Sequence, residues 1–367
     1  MKKIGLITFH SSHNNGSMLQ ALALQTVLEK KYNCKVEIIN FSNESQRNMY
    51  AVLPKADNYK RLIKNVVWMT KYKEMKKQYK SYCEFSGKYF HLSPKEYSLS
   101  SQLEELDGVY DAIIAGSDQV WNTTHNEGLD THYFFDGIKG KKIAYASSIG
   151  KSSVDEQELK WLSQYTKDYH SIYVREESAV DIFKQIGRDV RQVVDPTLML
   201  NRDQWSKYAS ERWVKEPYLF VYLPYNIKNK QICYDTARKI ARKKKLKVIT
   251  YSHSFYKEPL ADHTYLFIGP GDVLSLIYHA DYVVTNSFHG LAFSINLNRQ
   301  FCLYMPSNFS TRISSLANLC GLNERIIDGV ISDDLLDKEI DFSSVNDIIQ
   351  LERVKAITYL SHSLSNK

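Results

Sequence analysis

The sequence KIGLITFHSSHNNGSMLQALALQTVLEKKYNCKVEIINF, residues 3–41, alternates between two structural patterns. Residues 3–9 and 35–41 are short apolar runs that predict strands. Between them lie a polar loop with one glycine, residues 10–17, and a segment with apolar residues at helical spacing, residues 18–32. Strand, helix and strand in this order predict a parallel sheet. The helix carries the chain back to the end of the sheet where the first strand began, so the second strand runs in the same direction.

The same alternation continues along the chain. Further strands are predicted at residues 111–116, 141–148 and 171–176, and Asp195-Pro196 ends this first set because proline lacks an N–H group. A second set follows, with strands at residues 218–223, 247–251, 282–286 and 300–305. The pattern predicts the α/β class, with Rossmann-like domains at residues 1–205 and 206–335 and a C-terminal helical tail at residues 336–367.

Composition excludes several classes of protein. The chain is 43% hydrophobic and 13% aromatic, which argues against disorder. No apolar run is long enough for a transmembrane helix, and the N-terminus does not have the pattern of a signal peptide. The net charge is +7, which fits an anionic substrate or membrane face without requiring nucleic acid. Five widely spaced cysteines predict reduced thiols in a cytoplasmic protein.

Residues 58–80 form a basic segment inside the first half. It carries eight Lys or Arg residues and one Glu, with apolar residues at helical spacing. Two interpretations remain open: a helix on the inner face of an anionic membrane, or a helix packed on its domain with a solvated basic face.

Ligands of parallel sheets bind beyond the carboxyl ends of the strands, so the loops there hold the candidate site residues. In the first loop, Asn15 and Gly16 open a helix, where an anion is favoured; the alternative is a helix cap. In the second loop, Asp118 and a group of neighbours suit a sugar, because carboxylate and amides bind hydroxyls and an indole stacks on a ring. These neighbours are Gln119, Trp121 and Asn122. The alternatives are a core position for the indole and a cap for the carboxylate.

Four further candidates follow, and three of them are cationic or titratable. Arg175 follows a strand and is suited to a carboxylate or phosphate, unless Glu176 and Glu177 hold it in a structural ion pair. Ser287 and His289 lie between a strand and a helix, where an imidazole can move a proton, although a lone histidine is more often structural. Arg312 is one more candidate anion ligand.

Together these loops resemble the polysaccharide pyruvyl transferase family. The resemblance rests on GLITFHSSHNNGSMLQALAL, AGSDQVWN, YASSIG, YVREESAVDIF, VVDPTLML and GPGDVLSLIYHADYVVTNSFHGLAFSINLNRQF, and it extends to TRISSLANLCGLNER. It covers about residues 3–330. It implies a glycosyltransferase-B-like fold of two Rossmann-like domains facing across a cleft, with the acceptor on the N-terminal side and the donor on the C-terminal side.

The resemblance also implies chemistry. Family members transfer the enolpyruvyl unit of phosphoenolpyruvate to a sugar of a bacterial surface-polysaccharide precursor, often lipid-linked, and usually leave a pyruvate ketal. Arg175 would hold the donor, His289 would bind phosphate or move a proton, and Asp118 would contact or deprotonate an acceptor hydroxyl. No cofactor and no metal are implied.

One departure from the family pattern concerns the donor. Several members have an arginine in this loop at the position of Phe288, within Ser287-Phe288-His289-Gly290, so a cation is lost unless Arg312 or Arg299 replaces it. A nucleotide-sugar transferase of the same fold and a non-catalytic glycan-binding relative therefore remain as alternatives.

Overall fold

The chain forms two compact units, each built around one parallel sheet. A computed structural model describes residues 1–56, 58–124, 128–252, 256–307 and 311–365. The N-terminal unit comprises Met1–Tyr72, Cys83–Met199 and Glu352–Lys367, and the C-terminal unit comprises Lys73–Tyr82 and Leu200–Leu351. The segment predicted as a tail, residues 336–367, is therefore divided between the two units.

The sheet of the N-terminal unit has seven strands in the order β3-β2-β1-β4-β5-β6-β7. All of its strand pairs are parallel. The strands are β1 Lys3–Ile7, β2 Lys35–Phe41, β3 Leu92–Tyr97, β4 Ala112–Ala115, β5 Lys142–Ser147, β6 Tyr169–Val174 and β7 Arg191–Gln192. The central strands β1, β4 and β5 are buried almost throughout, as expected for a sheet covered on both faces.

Seven α-helices lie among the described residues up to residue 199. They are α1 Asn15–Tyr32, α2 Glu44–Tyr50, α3 Tyr59–Met69, α4 Tyr72–Tyr89, α5 Glu156–Thr166, α6 Glu177–Lys184 and α7 Pro196–Met199. The basic segment of residues 58–80 is two helices rather than one continuous helix. The first ends at Thr70, whose hydroxyl donates a 2.7 Å hydrogen bond to the carbonyl of Val67. None of the helices among the described residues is both long enough and apolar enough to span a bilayer.

The sheet of the C-terminal unit has five parallel strands in the order β10-β9-β8-β11-β12. The strands are β8 Tyr218–Tyr222, β9 Lys247–Ser252, β10 His263–Leu266, β11 Tyr282–Thr285 and β12 Gln300–Leu303. The helices are α8 Arg202–Ser206, α9 Lys230–Lys244, α10 Pro270–His279, α11 Phe288–Asn296, α12 Thr311–Leu319, α13 Asp333–Asp337 and α14 Phe342–Leu364. The α/β class predicted from the sequence is confirmed in both units.

Three strands were not predicted, and all three lie at the edges of the sheets. They are β3, β7 and β10. An edge strand is only half covered, so it lacks the continuous apolar run that marks a central parallel strand. The strand β3, with the sequence LSPKEY, even contains a proline, which an edge position tolerates.

Candidate functional site

Each sheet has a topological switch point, where the chain stops adding strands on one side of the first strand and starts adding them on the other. Three of the candidate loops lie at these points. In the N-terminal unit the point is between β1 and β4, and in the C-terminal unit it is between β8 and β11. At such a point, the loops beyond the carboxyl ends of two neighbouring strands diverge and leave room for a ligand. The loops after β1 and β4 and the loop after β11 are the ones that the sequence analysis singled out.

The loop after β1 is organised by a helix cap. The Asn14 side chain accepts hydrogen bonds from the backbone N–H groups of Gly16, at 3.0 Å, and Ser17, at 3.3 Å. Asn15 and Gly16 are themselves buried in the first turn of α1. Two of the N–H groups that an anion would use are therefore already bonded to the Asn14 side chain. The helix cap that the sequence offered as the alternative is present, and Asn14 supplies it.

Asp118 lies at the centre of the polar group in the N-terminal unit. Its φ of 81° is in the left-handed region, which costs a non-glycine residue free energy unless its surroundings hold it there. Its carbonyl accepts from the N–H of Ser148 at 2.9 Å, and its Oδ1 accepts from the N–H of Gln119 at 2.8 Å. Its Oδ2 accepts from the hydroxyl of Ser17. The loops after β1, β4 and β5 therefore converge on Asp118, the first two on its carboxylate and the third on its backbone carbonyl.

Arg175 occupies a buried ion-pair network. Its Nη1 lies 2.7 Å from Asp195 Oδ2 and 3.3 Å from the Ser117 hydroxyl, and its Nη2 lies 3.7 Å from Asp118 Oδ1. Burial would lower the pKa of the guanidinium, but the carboxylates of Asp195 and Asp118 raise it above its ordinary value. The structural ion pair considered from the sequence is present, with aspartates as the partners rather than Glu176 or Glu177.

The remaining residues of the second loop have structural contacts. Asn122 Nδ2 donates to Gln119 Oε1 at 2.6 Å, and both side chains pack on Gly150. Trp121 turns into the hydrophobic core, where its ring stacks on Phe134 at 5.3 Å between centroids and its indole N–H donates to a backbone carbonyl. This corrects the expectation of a sugar-stacking indole, because Trp121 is only 3% exposed.

Several residues of this network were missed by sequence reasoning. Asp195 was noted only for the break before Pro196, although a carboxylate in VVDP was a possible partner for Arg175. Glu176 Oε1 accepts three hydrogen bonds, from the Ser148 hydroxyl and the N–H groups of Ile149 and Gly150, and so fixes the loop after β5. Asp130 and the ring of His132 form a further titratable pair. It could have been found from the sequence DTH of residues 130–132, which places the two side chains close together.

In the C-terminal unit, the loop after β11 leads into α11, and the first turn of this helix lies close to the sheet. Ser287 is the N-cap residue, and its backbone N–H donates to the Thr285 hydroxyl at 3.1 Å. His289 follows in the first turn and is 4% exposed. Gly290 allows the contact, because a Cβ there would lie 2.2 Å from Thr285 Oγ1.

Arg312 lies beside this turn. Its guanidinium carbon is 5.6 Å from the centroid of the Phe288 ring, a cation–π contact, and the side chain is buried. Arg299 lies at the other end of α11 and donates to the carbonyls of Leu297 and Ala280. Of the two arginines considered as replacements for the missing cation, Arg312 is the one next to Phe288 and His289.

The fold of the chain is similar to that of known sugar-nucleotide enzymes. A UDP-N-acetylglucosamine 2-epimerase from Methanocaldococcus jannaschii matches it with a TM-score of 0.52 and 11% identity, over 96% of this chain and 99% of that chain. The same enzyme from Rickettsia bellii matches with a TM-score of 0.51 and 10% identity, over 99% of each chain. An Anabaena protein, HepE, whose structure holds UDP and glucose, matches with a TM-score of 0.50 and 10% identity, over 100% of each chain. At these identities the likeness shows the fold, a glycosyltransferase-B-like class of two Rossmann-like domains.

The chain belongs to the polysaccharide pyruvyl transferase family. The sequence profile of that family matches residues 14–308, which include every predicted site residue except Arg312. None of the curated proteins compared with the chain matches it. The family resemblance inferred from the motifs is confirmed, and with the fold class it makes the protein a transferase.

Proposed function

We propose that the protein transfers the pyruvyl group of phosphoenolpyruvate to a sugar of a bacterial surface-glycan precursor, such as a capsule or exopolysaccharide unit. The observation that supports this most directly is the position of Arg312 over Phe288, one residue before His289. Phosphoenolpyruvate carries about three negative charges, so its site must supply cations. Arg312 restores the cation that the Phe288 position lacks.

The proposed reaction needs an acid, a base and an anion site. Protonation of the methylene carbon of the donor makes its neighbouring carbon electrophilic, and a sugar hydroxyl adds there and loses its proton. A second hydroxyl then displaces phosphate, which leaves a cyclic ketal and inorganic phosphate. His289 would supply the proton or hold the phosphate, and Asp118 would contact or deprotonate the acceptor hydroxyl. The scheme calls for no metal and no further cofactor.

We propose that the acceptor is carried on a lipid, so that the protein works in the cytoplasm at the inner face of the membrane. The net charge of +7 supports this, because both a phosphate-linked acceptor and an anionic membrane attract a basic protein.

A nucleotide-sugar donor is the second candidate, and the fold class favours it, because the similar Anabaena protein holds UDP and glucose. Calorimetric titration of the protein with phosphoenolpyruvate and, separately, with UDP-N-acetylglucosamine distinguishes the two. We expect binding of phosphoenolpyruvate. Binding of the UDP-sugar alone would make the protein a glycosyltransferase, and binding of neither would make it a non-catalytic relative.

The donor site itself is tested with Arg312→Ala. We expect phosphoenolpyruvate to bind at least about thirtyfold more weakly, which corresponds to about 2 kcal/mol, because a buried charge-assisted contact is lost. Arg312→Lys keeps the charge and should lose less. The matched control is Arg242→Ala, which removes an exposed arginine of α9 in the same unit and should leave the affinity unchanged. Equal affinities in the Arg312→Ala and Arg242→Ala proteins would remove Arg312 from the site.

The role of His289 is tested by comparing two replacements. If its imidazole acts as an acid or holds phosphate, His289→Gln and His289→Ala should lose similar and large fractions of turnover, because neither side chain can be cationic. A purely structural histidine predicts another result, namely an active glutamine variant and an unstable alanine variant. Turnover with phosphoenolpyruvate and a glycan acceptor, together with thermal unfolding, separates these outcomes.

A further inference from the structure

The helix α3 exposes a continuous apolar face. Tyr59, Leu62, Ile63, Val66 and Val67 recur at the spacing that places side chains on one side of a helix, and we call them the α3 face. Their exposed fractions are 70%, 57%, 60%, 60% and 53%, in that order.

An amphipathic helix of a globular protein normally turns such a face to the core. The helix α14 does so, with Ala356 and Leu360 both 0% exposed. In α3, none of the eleven residues is buried, and the structure describes all of them. A contiguous exposed apolar surface of this kind marks a site of interaction with another surface.

The other side of α3 is basic. The helix carries Lys60, Arg61 and Lys64 and no acidic residue. The Nζ of Lys64 lies 4.5 Å from the centroid of the Trp68 ring, so this ring lies on the basic side, among the cations. The segment that follows in the chain, the first half of α4, carries the exposed residues Lys73, Lys76, Lys77 and Lys80, but it belongs to the C-terminal unit.

We infer that α3 lies in the plane of an anionic lipid bilayer, with the α3 face inserted among the acyl chains and the lysines at the phosphate groups. An apolar side and a basic side without carboxylates are what an interfacial helix requires. Eleven residues of helix span only about 16 Å, which is too short to cross the hydrocarbon core. The inference rests on the proposed lipid-borne acceptor only for the biological purpose of membrane binding. The α3 face would bind lipid whichever reaction the protein catalyses.

Sedimentation of the full-length protein with vesicles tests the inference. We expect binding to vesicles of phosphatidylglycerol and phosphatidylcholine in equal parts, and little binding to phosphatidylcholine alone. Added salt should weaken the binding without abolishing it, because the charges are screened and the inserted side chains are not.

A double replacement on the α3 face tests the insertion. Ile63→Asn with Val67→Asn should weaken vesicle binding at least about tenfold, because the buried methylene and methyl groups supply the partition energy. The matched control is Leu351→Asn with Val354→Asn, which changes two residues of α14 that are 56% and 50% exposed. This control should bind as the wild type does. All four positions are exposed, so unchanged circular dichroism is expected for both proteins.

Three results would overturn the inference. In the first, the wild type does not bind the anionic vesicles. In the second, the double α3 variant binds them as well as the control does. In the third, the wild type is a dimer and the double α3 variant is a monomer. The last result would assign the α3 face to a contact between two copies of the chain. His289→Gln should bind vesicles normally, so a failure of lipid binding is distinguishable from a failure of the proposed reaction.

Discussion

Arg175 and its partners show how the surroundings of a residue change its expected role. An arginine that serves only as a donor ligand could be removed with little effect on folding. In this structure its Nη1 is 2.7 Å from Asp195, whose side chain is fully buried at 0% exposed. Asp195 Oδ1 is held in turn by the N–H and the hydroxyl of Thr197, at 2.9 and 2.8 Å. Arg175 therefore positions the loops around Asp118 and compensates buried charge.

We predict that Arg175→Met lowers the free energy of unfolding by about 3–5 kcal/mol, because it leaves a buried carboxylate without its partner. Adding Asp195→Asn should recover part of the loss, since the second change removes the uncompensated charge. Urea unfolding of the wild type and the two variants measures both effects. A normally stable Arg175→Met protein that binds phosphoenolpyruvate weakly would instead support a role for Arg175 as a donor ligand.

Asp118 combines a strained backbone with a carboxylate in the candidate site. Asparagine tolerates a positive φ and keeps an oxygen for the N–H of Gln119, so Asp118→Asn should fold normally. If the carboxylate deprotonates the acceptor hydroxyl, turnover should fall by roughly 10²–10⁴. Asp118→Val, in contrast, should be unstable because a β-branched residue resists this backbone conformation. An Asp118→Asn protein with wild-type turnover would exclude the carboxylate as the base.

At the scale of elements, α11 depends on its approach to β11 and β8. The Thr285 hydroxyl donates to the carbonyl of Tyr222 at 2.7 Å and accepts from the N–H of Ser287, so it cannot move without losing both contacts. The absence of a side chain at Gly290 lets the first turn of the helix rest against this threonine. The position of His289 is thus fixed by the neighbouring glycine.

We predict that Gly290→Ala destabilises the protein by about 1–3 kcal/mol, because the added methyl group overpacks the contact with Thr285. Gly87→Ala in α4 is the matched control, since a Cβ there meets nothing within 4 Å. The control should gain about 0.5–1 kcal/mol from the better helix propensity of alanine. Calorimetric unfolding compares the two proteins, and equal stabilities would show that α11 can shift without cost.

At the scale of the whole molecule, the chain ends in the unit where it begins. Residues Glu352–Lys367 belong to the N-terminal unit. The hydroxyl of Tyr32 donates to the carbonyl of Ile357 at 2.7 Å, and the ring of Tyr173 stacks on Tyr359 with 5.4 Å between centroids. The last turns of α14 are therefore part of the N-terminal core, although the sequence predicted a separate tail.

We predict that Leu360→Ala lowers the free energy of unfolding by about 2–5 kcal/mol, because this side chain is 0% exposed and its loss leaves a cavity. Val354→Ala changes a half-exposed residue of the same helix and should cost less than about 0.5 kcal/mol. Urea unfolding of both variants measures the difference. Similar losses in the two proteins would mean that the end of α14 contributes little to the unit.

Local patterns in the sequence were enough to predict the parallel α/β architecture and the family, while the role of the loops that carry the candidate residues stays a prediction. Strand and helix periodicity depends on neighbouring residues, and the central strands are apolar because both faces of the sheet are covered. Only the tertiary structure paired Arg175 with Asp195, turned Trp121 into the core and left the α3 face exposed. Each of these outcomes depends on which distant segments pack together. An arginine, a tryptophan or an amphipathic helix has the same local pattern whether its partner is a ligand, a membrane or the rest of the chain.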